Sequence, residues 1–146
     1  MFKNFILLLL LVFSSNLQAA CSLEISSGDL LKFNKRKLTI DSSCSKFIIF
    51  FKHEGEMVAR TFGHNVVIVE RKNFNKVISR IDMKLGEESG YLPDMPEIVA
   101  KTAIIGGGAQ TSVTIDATKL SENSEYMFFC SFPGHYGGMQ GPVKVI

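Results

Sequence analysis

The chain has 146 residues, with 16 basic and 14 acidic residues and a formal net charge of +2 at pH 7. This length allows one domain with a hydrophobic core and is short for two. The near balance of charge gives no reason to expect a nucleic-acid partner. We therefore interpret the short basic runs at 35–37 and 70–72 as solvated turns.

The first 20 residues predict a secretory signal. A basic residue precedes an unbroken apolar run over residues 5–13, and the small residues Ala19 and Ala20 close the segment, which is the order of a cleaved export signal. The run is too short for a membrane-spanning helix, which needs about 20 residues. Lipidation of Cys21 is the alternative, but the leucine of "LQAAC" lies one position too far away. We expect cleavage after Ala19 or Ala20, no stable membrane insertion, and a single domain over residues 21–146.

Short strands separated by turn residues follow the signal. "CSLEI" and "KLTID" alternate apolar and polar residues, as half-buried strands do. "KFIIFF" is continuously apolar, which predicts a strand buried on both faces. Four later segments alternate apolar and polar residues or are rich in β-branched and aromatic residues, and each predicts a strand. They cover residues 65–69, 111–116, 125–130 and 143–146, where the chain ends.

One region, residues 73–90, has helical rather than strand periodicity. Its apolar residues recur at spacings of three and four, which predicts one stripe of a helix ending near Gly86; they are Phe74, Val77, Ile78, Ile81 and Leu85. "YLPDMP" then predicts a proline-rich connection. Seven or eight short strands with one helical insertion indicate an all-β fold, either a two-sheet sandwich or a small barrel.

The three cysteines divide into a pair and a remainder. Cys21 and Cys44 lie near the starts of two strands with no metal-ligand pattern around them, so in an exported protein we expect a disulfide between them. Cys130 is then single. It has three interpretations: a buried small hydrophobe, a catalytic thiol with His135 as its base, or a metal ligand.

The residues after Cys130 favour the metal ligand. His135 follows five residues later and Met139 four residues after that. A thioether is an unusual ligand for zinc, whereas a Cys, two His and a distant Met form the blue-copper electron-transfer set. The second histidine is His64 or His53. Gly63 and Asn65 flank His64, while no such residue adjoins His53, so we expect His64 to be the ligand.

At this point the segments "FGHN", "YLPD", "IVAKT" and "EYMFFCSFPGH" resemble the azurins, a bacterial group within the blue-copper cupredoxin family. The resemblance covers nearly all of residues 21–146 and extends to the separation of Cys21 from Cys44. It implies a Greek-key β-sandwich with the helical segment 73–90 packed outside as a flap. It also implies one copper ion held by three strong ligands and two weak axial ones; these are His64, Cys130 and His135, with Met139 and the backbone carbonyl of Gly63.

The resemblance further assigns two supporting residues and a function. Asn65 is expected to tie the two ligand loops together, and the backbone N–H of Phe132 to point at the ligand sulfur. The implied function is that of a periplasmic type 1 copper protein, not an enzyme, which passes single electrons by Cu(II)/Cu(I) cycling. The implied partners are c-type cytochromes or copper and haem reductases, docking transiently on an apolar patch of a monomer near His135, with charge adding little.

The chain departs from the azurin pattern at three places. Val66 stands where many azurins carry a buried tryptophan, and the chain has no tryptophan. Tyr136 and two glycines at 137–138 replace a more ordinary stretch after His135. Lys101 stands where some azurins have a surface histidine. None of these differences removes an expected copper ligand.

Overall fold

The computed structural model describes residues 21–146, and the expected signal segment lies outside the described residues. Eight strands form two sheets. Strands β1, β3 and β6 form the smaller sheet in the order β1-β3-β6, and the larger sheet has the order β2-β8-β7-β4-β5. The strands are β1 Ser22–Ser27, β2 Leu38–Ile40, β3 Phe47–His53, β4 Val67–Glu70, β5 Ile98–Lys101, β6 Gln110–Ile115, β7 Tyr126–Phe129 and β8 Gln140–Val145.

The two sheets enclose the main hydrophobic core. β1 runs parallel to β3 and β2 parallel to β8, whereas the remaining pairs are antiparallel. The alternation in the sequence places every second side chain of β2, β3 and β8 in this core. The predicted all-β sandwich is confirmed.

The prediction that β3 is buried on both faces is wrong. Phe47, Ile49 and Phe51 are buried, but Phe50, between Ile49 and Phe51, is 45% exposed. β3 is the central strand of a sheet that has only one face on the core. The burial of its side chains therefore alternates with a period of two residues, even though the run is continuously apolar. Phe50 therefore lies on the outer face.

The predicted helix over 73–90 is broken into short pieces. Helix α1 is Ala59–Phe62, outside this region, and helix α2 is only Phe74–Ile78; single 3-10 turns occupy Arg71–Asn73, Met83–Leu85 and Ala117–Lys119. Asp82 has extended backbone angles, and its carboxylate accepts the Lys84 N–H at 2.9 Å. This local hydrogen bond competes with a continuing helix.

The apolar residues predicted to face the core from the flap do so, except the last one. Phe74, Val77, Ile78 and Ile81 pack in a second cluster on the outer face of the large sheet, with Val67, Val69, Leu92, Met127 and Phe129. Leu85 is 42% exposed and does not join them. The flap is thus anchored by its first half.

The predicted disulfide is confirmed, and two elements were not predicted. Cys21 and Cys44 are bonded, which leaves Cys130 as the free cysteine.

Strand β5 shows a mostly half-buried pattern without alternation, and α1 is too short to produce helical periodicity. Within residues 21–146, no helix combines the length and the apolar character needed to cross a lipid bilayer.

Candidate metal centre

Loops at one end of the sandwich bring the three strongest donors together. Cys130 directly follows β7, and His135 lies in the loop between β7 and β8. The Cys130 N–H donates to the Met139 carbonyl and the Met139 N–H to the His135 carbonyl, both at 3.0 Å, so this loop closes on itself. His64 arrives from the β3–β4 connection and exchanges two backbone hydrogen bonds of 3.0 Å with Ile105.

Gly63 allows the His64 backbone to approach this end of the fold. A Cβ at Gly63 would lie 2.4 Å from the Ala59 carbonyl oxygen and 2.5 Å from the Ile104 side chain. Both distances are far below van der Waals contact. Only glycine therefore lets the chain leave α1 and pass directly into the donor residue.

The donor atoms are spaced as metal ligands are. His64 Nδ1 and His135 Nδ1 are 3.1 Å apart, and each lies 3.8 Å from Cys130 Sγ. A point equidistant from these three atoms lies about 2.1 Å from each, close to metal–nitrogen and metal–thiolate bond lengths in proteins. All three side chains are buried. The cluster therefore fits one metal ion.

Hydrogen bonding fixes which nitrogen of His64 is available. Its Nε2 lies 3.1 Å from the Gly28 carbonyl oxygen, so Nε2 carries the proton and donates. Nδ1 then presents its lone pair to the centre. Burial lowers the pKa of His64 to about 4, helped by the neighbouring His135 and His53 rings. Burial also lowers the pKa of His135 to about 4, so both rings are neutral at pH 7.

The environment of Cys130 opposes a free thiolate. Burial raises the pKa of its thiol to about 12, although the backbone N–H groups of Asn65 and Phe132 point at the sulfur and act in the opposite direction. A reactive nucleophilic cysteine has a lowered pKa and access to solvent. This site has neither, so the geometry favours a thiolate made by a bound cation.

Asn65 joins the two donor loops. Its Oδ1 accepts the Ser131 N–H at 2.9 Å, and its Nδ2 donates to the Ser131 hydroxyl at 2.9 Å. The Ser131 hydroxyl donates in turn to the Gly90 carbonyl at 2.7 Å. Asn65 follows one donor and Ser131 follows another, so this fully buried network sets the distance between the loops and ties both to the flap.

His53 is beside the donor cluster and outside it. Its ring stacks on His64 with centroids 5.0 Å apart and planes 14° apart. Its Nδ1 accepts the Gly55 N–H at 3.1 Å, so Nε2 carries the proton, 3.3 Å from the Phe62 carbonyl oxygen. With both nitrogens engaged, His53 has no lone pair for a metal.

Comparison with known proteins agrees with this geometry. A family model described as copper binding proteins, plastocyanin/azurin family, matches residues 19–146. The chain belongs to this family. It is 39% identical to the azurin of Alcaligenes faecalis over 127 residues, covering 86% of this chain and 98% of that one.

Further comparisons place the chain among the azurins, as expected. It is 38% identical to the azurin of Pseudomonas aeruginosa over 139 residues, covering 94% of this chain and 93% of the relative. The solved azurin Az-iso2 from Methylomonas sp. strain J superposes with a TM-score of 0.81 at 32% identity, covering 88% of this chain and 99% of the other. The cofactor that fits the family and the donor set is one copper ion.

The azurin-family site is covered by aromatic rings. Phe132 stacks on His135 with centroids 4.3 Å apart, and Phe62 lies 4.8 Å from the same ring. His135 itself is only 5% exposed. Tyr136 packs on the second hydrophobic cluster, under the flap. Met139 is fully buried at the closing end of the loop.

Three residues at this azurin-family site were not predicted. Gly28 supplies the carbonyl that orients His64, Ser131 completes the network with Asn65, and Gly90 accepts from Ser131. A backbone carbonyl leaves no signal in the sequence. Ser131 stands next to Cys130, but only the fold shows that it faces Asn65, 66 residues away.

Proposed function

We propose that this chain is a type 1 copper protein that carries single electrons. Its copper would be held by His64 Nδ1, His135 Nδ1 and Cys130 Sγ, with Met139 and the carbonyl of Gly63 as weak axial ligands. The observation that carries this proposal is the buried triangle of donor atoms with sides of 3.1, 3.8 and 3.8 Å. Such a copper ion alternates between Cu(II) and Cu(I) and so supplies one-electron chemistry.

The protein residues hold this centre in one geometry. The network of Asn65 and Ser131 and the hydrogen bond between His64 and the Gly28 carbonyl consist of protein groups alone, and they orient the donor loops. Ligands that do not rearrange between oxidation states lower the reorganisation that accompanies electron transfer. The backbone N–H groups of Asn65 and Phe132 stabilise negative charge on the sulfur.

We also propose the location and the partners. Residues 1–20 would direct export to the periplasm and be removed after Ala19 or Ala20, which leaves a monomeric domain over 21–146. Electrons would pass through the ring of His135 to transient partners such as c-type cytochromes or copper and haem reductases. The small interfaces typical of such redox encounters, below about 1,200 Å², suit the apolar surface beside Phe62 and Phe132. The protein would not be an enzyme.

The visible spectrum after addition of Cu(II) tests this function. We expect an intense absorption toward the red end of the spectrum and reversible one-electron cycling. Cys130→Ser should abolish the absorption. His53→Ala is the matched control, because it removes a buried histidine in contact with His64 that donates no lone pair to the site. The absorption should remain in this variant.

Replacing Met139 separates the axial role from the strong ligands. Met139→Leu keeps the apolar volume and removes the sulfur, so copper should stay bound while the reduction potential shifts. Complete loss of copper in this variant would contradict the weak axial assignment. A colourless wild-type protein that holds zinc in preference to copper would contradict the whole proposal.

A further inference from the structure

An unexpected concentration of positive charge lies on the loop that begins beside the metal centre. Residues 28–37, which we call the basic loop, connect β1 to β2 and contain four basic residues and one acidic residue; the basic ones are Lys32, Lys35, Arg36 and Lys37. All four are exposed. In the part of the chain that the structure describes, none of them takes part in a salt bridge.

Three contacts fix the basic loop against the metal centre and the start of β8. It begins at the Gly28 carbonyl, which binds His64 Nε2. A Cβ at Gly138 would lie 2.9 Å from the Leu31 carbonyl oxygen, so Leu31 covers the stretch that follows His135. A Cβ at Gly141 would lie 2.4 Å from the Arg36 carbonyl oxygen. The first residues of the loop thus border the metal centre and its last residues pass the start of β8, while Phe33 between them pairs with Ser27 of β1 and packs in the core.

The basic loop also contributes to an exposed apolar face. Leu30 and Leu31 are 59% and 46% exposed, and Met57 and Val58 across from them are 39% and 62% exposed. The Asp29 carboxylate accepts the backbone N–H of Met57, which joins the two segments. Val58 directly precedes α1, whose last residue, Phe62, lies against the His135 ring. Large exposed apolar side chains grouped in this way mark interaction sites.

Acidic residues also lie near this face. Asp29 binds the backbone N–H groups of Glu56 and Met57, and Glu54 accepts the Ser26 hydroxyl at 3.1 Å. The middle of the basic loop lies near Glu54 as well, because Asn34 Oδ1 accepts the Ser26 N–H at 2.8 Å. The basic loop nevertheless carries four exposed cations against one carboxylate of its own. The apolar face consequently has a charged rim that is positive along the basic loop.

We propose that the redox partner of this protein carries an acidic rim around its own electron port and docks on the apolar face with that rim against the basic loop. This inference rests on the proposed function and adds the partner's charge to it. Cations that form no salt bridge within residues 21–146 are available to an approaching anion, and such complementarity steers encounter and fixes orientation. From the sequence we interpreted residues 35–37 as a solvated turn, whereas this proposal makes them part of the docking surface.

Inert and reactive hexacyanometallates test the basic loop directly. Hexacyanochromate(III) is a paramagnetic trianion that neither accepts nor donates an electron here, and it should broaden backbone amide signals of residues 30–37 in the Cu(I) protein. Hexacyanoferrate(III) should take one electron from Cu(I), giving Cu(II) and hexacyanoferrate(II). That rate should fall as ionic strength rises from 0.01 to 0.15 M, because the screening length shrinks from about 30 to about 8 Å.

Matched charge variants separate location from net charge. Lys35→Gln with Lys37→Gln should lower the hexacyanoferrate(III) rate about three- to tenfold and remove the local broadening. Lys46→Gln with Lys119→Gln removes the same net charge just before β3 begins and just after β6 ends, about 20 Å along the strands from their ends beside the metal centre. This control should change the rate less than twofold. A cationic oxidant, tris(phenanthroline)cobalt(III), should respond in the opposite direction.

The outcomes distinguish this inference from the proposed function. Broadening spread evenly over the surface, or equal effects of the two variant pairs, would overturn the acidic-partner inference while leaving copper cycling intact. Binding to phosphatidylglycerol vesicles at 0.15 M salt that requires Lys35 and Lys37 would also overturn it, in favour of a lipid surface. A protein that fails to bind copper contradicts the proposed function instead.

Discussion

Asn65→Ala is the sharpest perturbation that this structure suggests. Asn65 is fully buried and makes hydrogen bonds of 2.9 Å with the Ser131 N–H and the Ser131 hydroxyl, and one of 3.4 Å with the Thr102 carbonyl. Truncation leaves the buried Ser131 N–H without an acceptor, which costs about 1–3 kcal/mol, and removes further bonds worth about 1 kcal/mol each. We expect the free energy of unfolding to fall by about 2–4 kcal/mol.

Urea titration of the copper-free protein measures this loss without the contribution of metal binding. The slope of the free energy of unfolding against urea concentration (the m value) should be unchanged, because the surface exposed on unfolding is the same. Ser131→Ala is the control. It keeps the backbone N–H bonded to Asn65 and loses only the hydroxyl, with its 2.7 Å bond to Gly90, so it should cost about half as much.

The copper form adds a second readout. Because Asn65 sets the distance between the loops of His64 and Cys130, its removal should also shift the visible absorption and the reduction potential. Ser131→Ala should shift both less. The largest expected contribution is the hydrogen bond from the Ser131 N–H to Asn65. A loss of stability below about 0.5 kcal/mol in Asn65→Ala, or a larger loss in Ser131→Ala, would contradict this expectation.

Three further outcomes are expected. Replacing Cys21 and Cys44 by alanine opens a cross-link of sequence separation 23 and should lower the free energy of unfolding by about 3 kcal/mol, measured by urea titration, with the copper spectrum unchanged. Copper binding at pH 7 should release one proton, from Cys130, because His64 and His135 are already neutral; calorimetry in buffers of different ionisation enthalpy counts it. The copper-free protein should lose stability as the pH falls from about 6.5 to about 4, since the unfolded chain binds protons to these histidines that the folded one excludes. A flat profile would contradict the burial argument.

Several features followed from the sequence because they depend on local spacing. The alternation of apolar residues indicates strands wherever one face is buried, and the cysteines of an exported chain pair when nothing else explains them. Cys130, His135 and Met139 lie within ten residues of one another, so the sequence alone indicates that they can bind one metal ion together. These features are local, and their interpretation as a β-sandwich with a disulfide is confirmed.

Other features required the tertiary structure because they join distant segments. The outward face of Phe50 depends on which side of β3 meets the core, and the broken flap helix depends on how Asp82 bonds its own backbone. The pairing of Asn65 with Ser131 spans 66 residues. A one-dimensional pattern records none of these contacts.

The all-β class, the disulfide and the candidate donor set could be predicted from the sequence, since residue type and spacing along the chain carry that information. The distances of 3.1–3.8 Å among the donor atoms of His64, Cys130 and His135, and the start of the basic loop beside them, depend on how the whole chain packs. Loops that are far apart in the chain converge because the strands of a sandwich end together, and that convergence is a property of packing rather than of any segment.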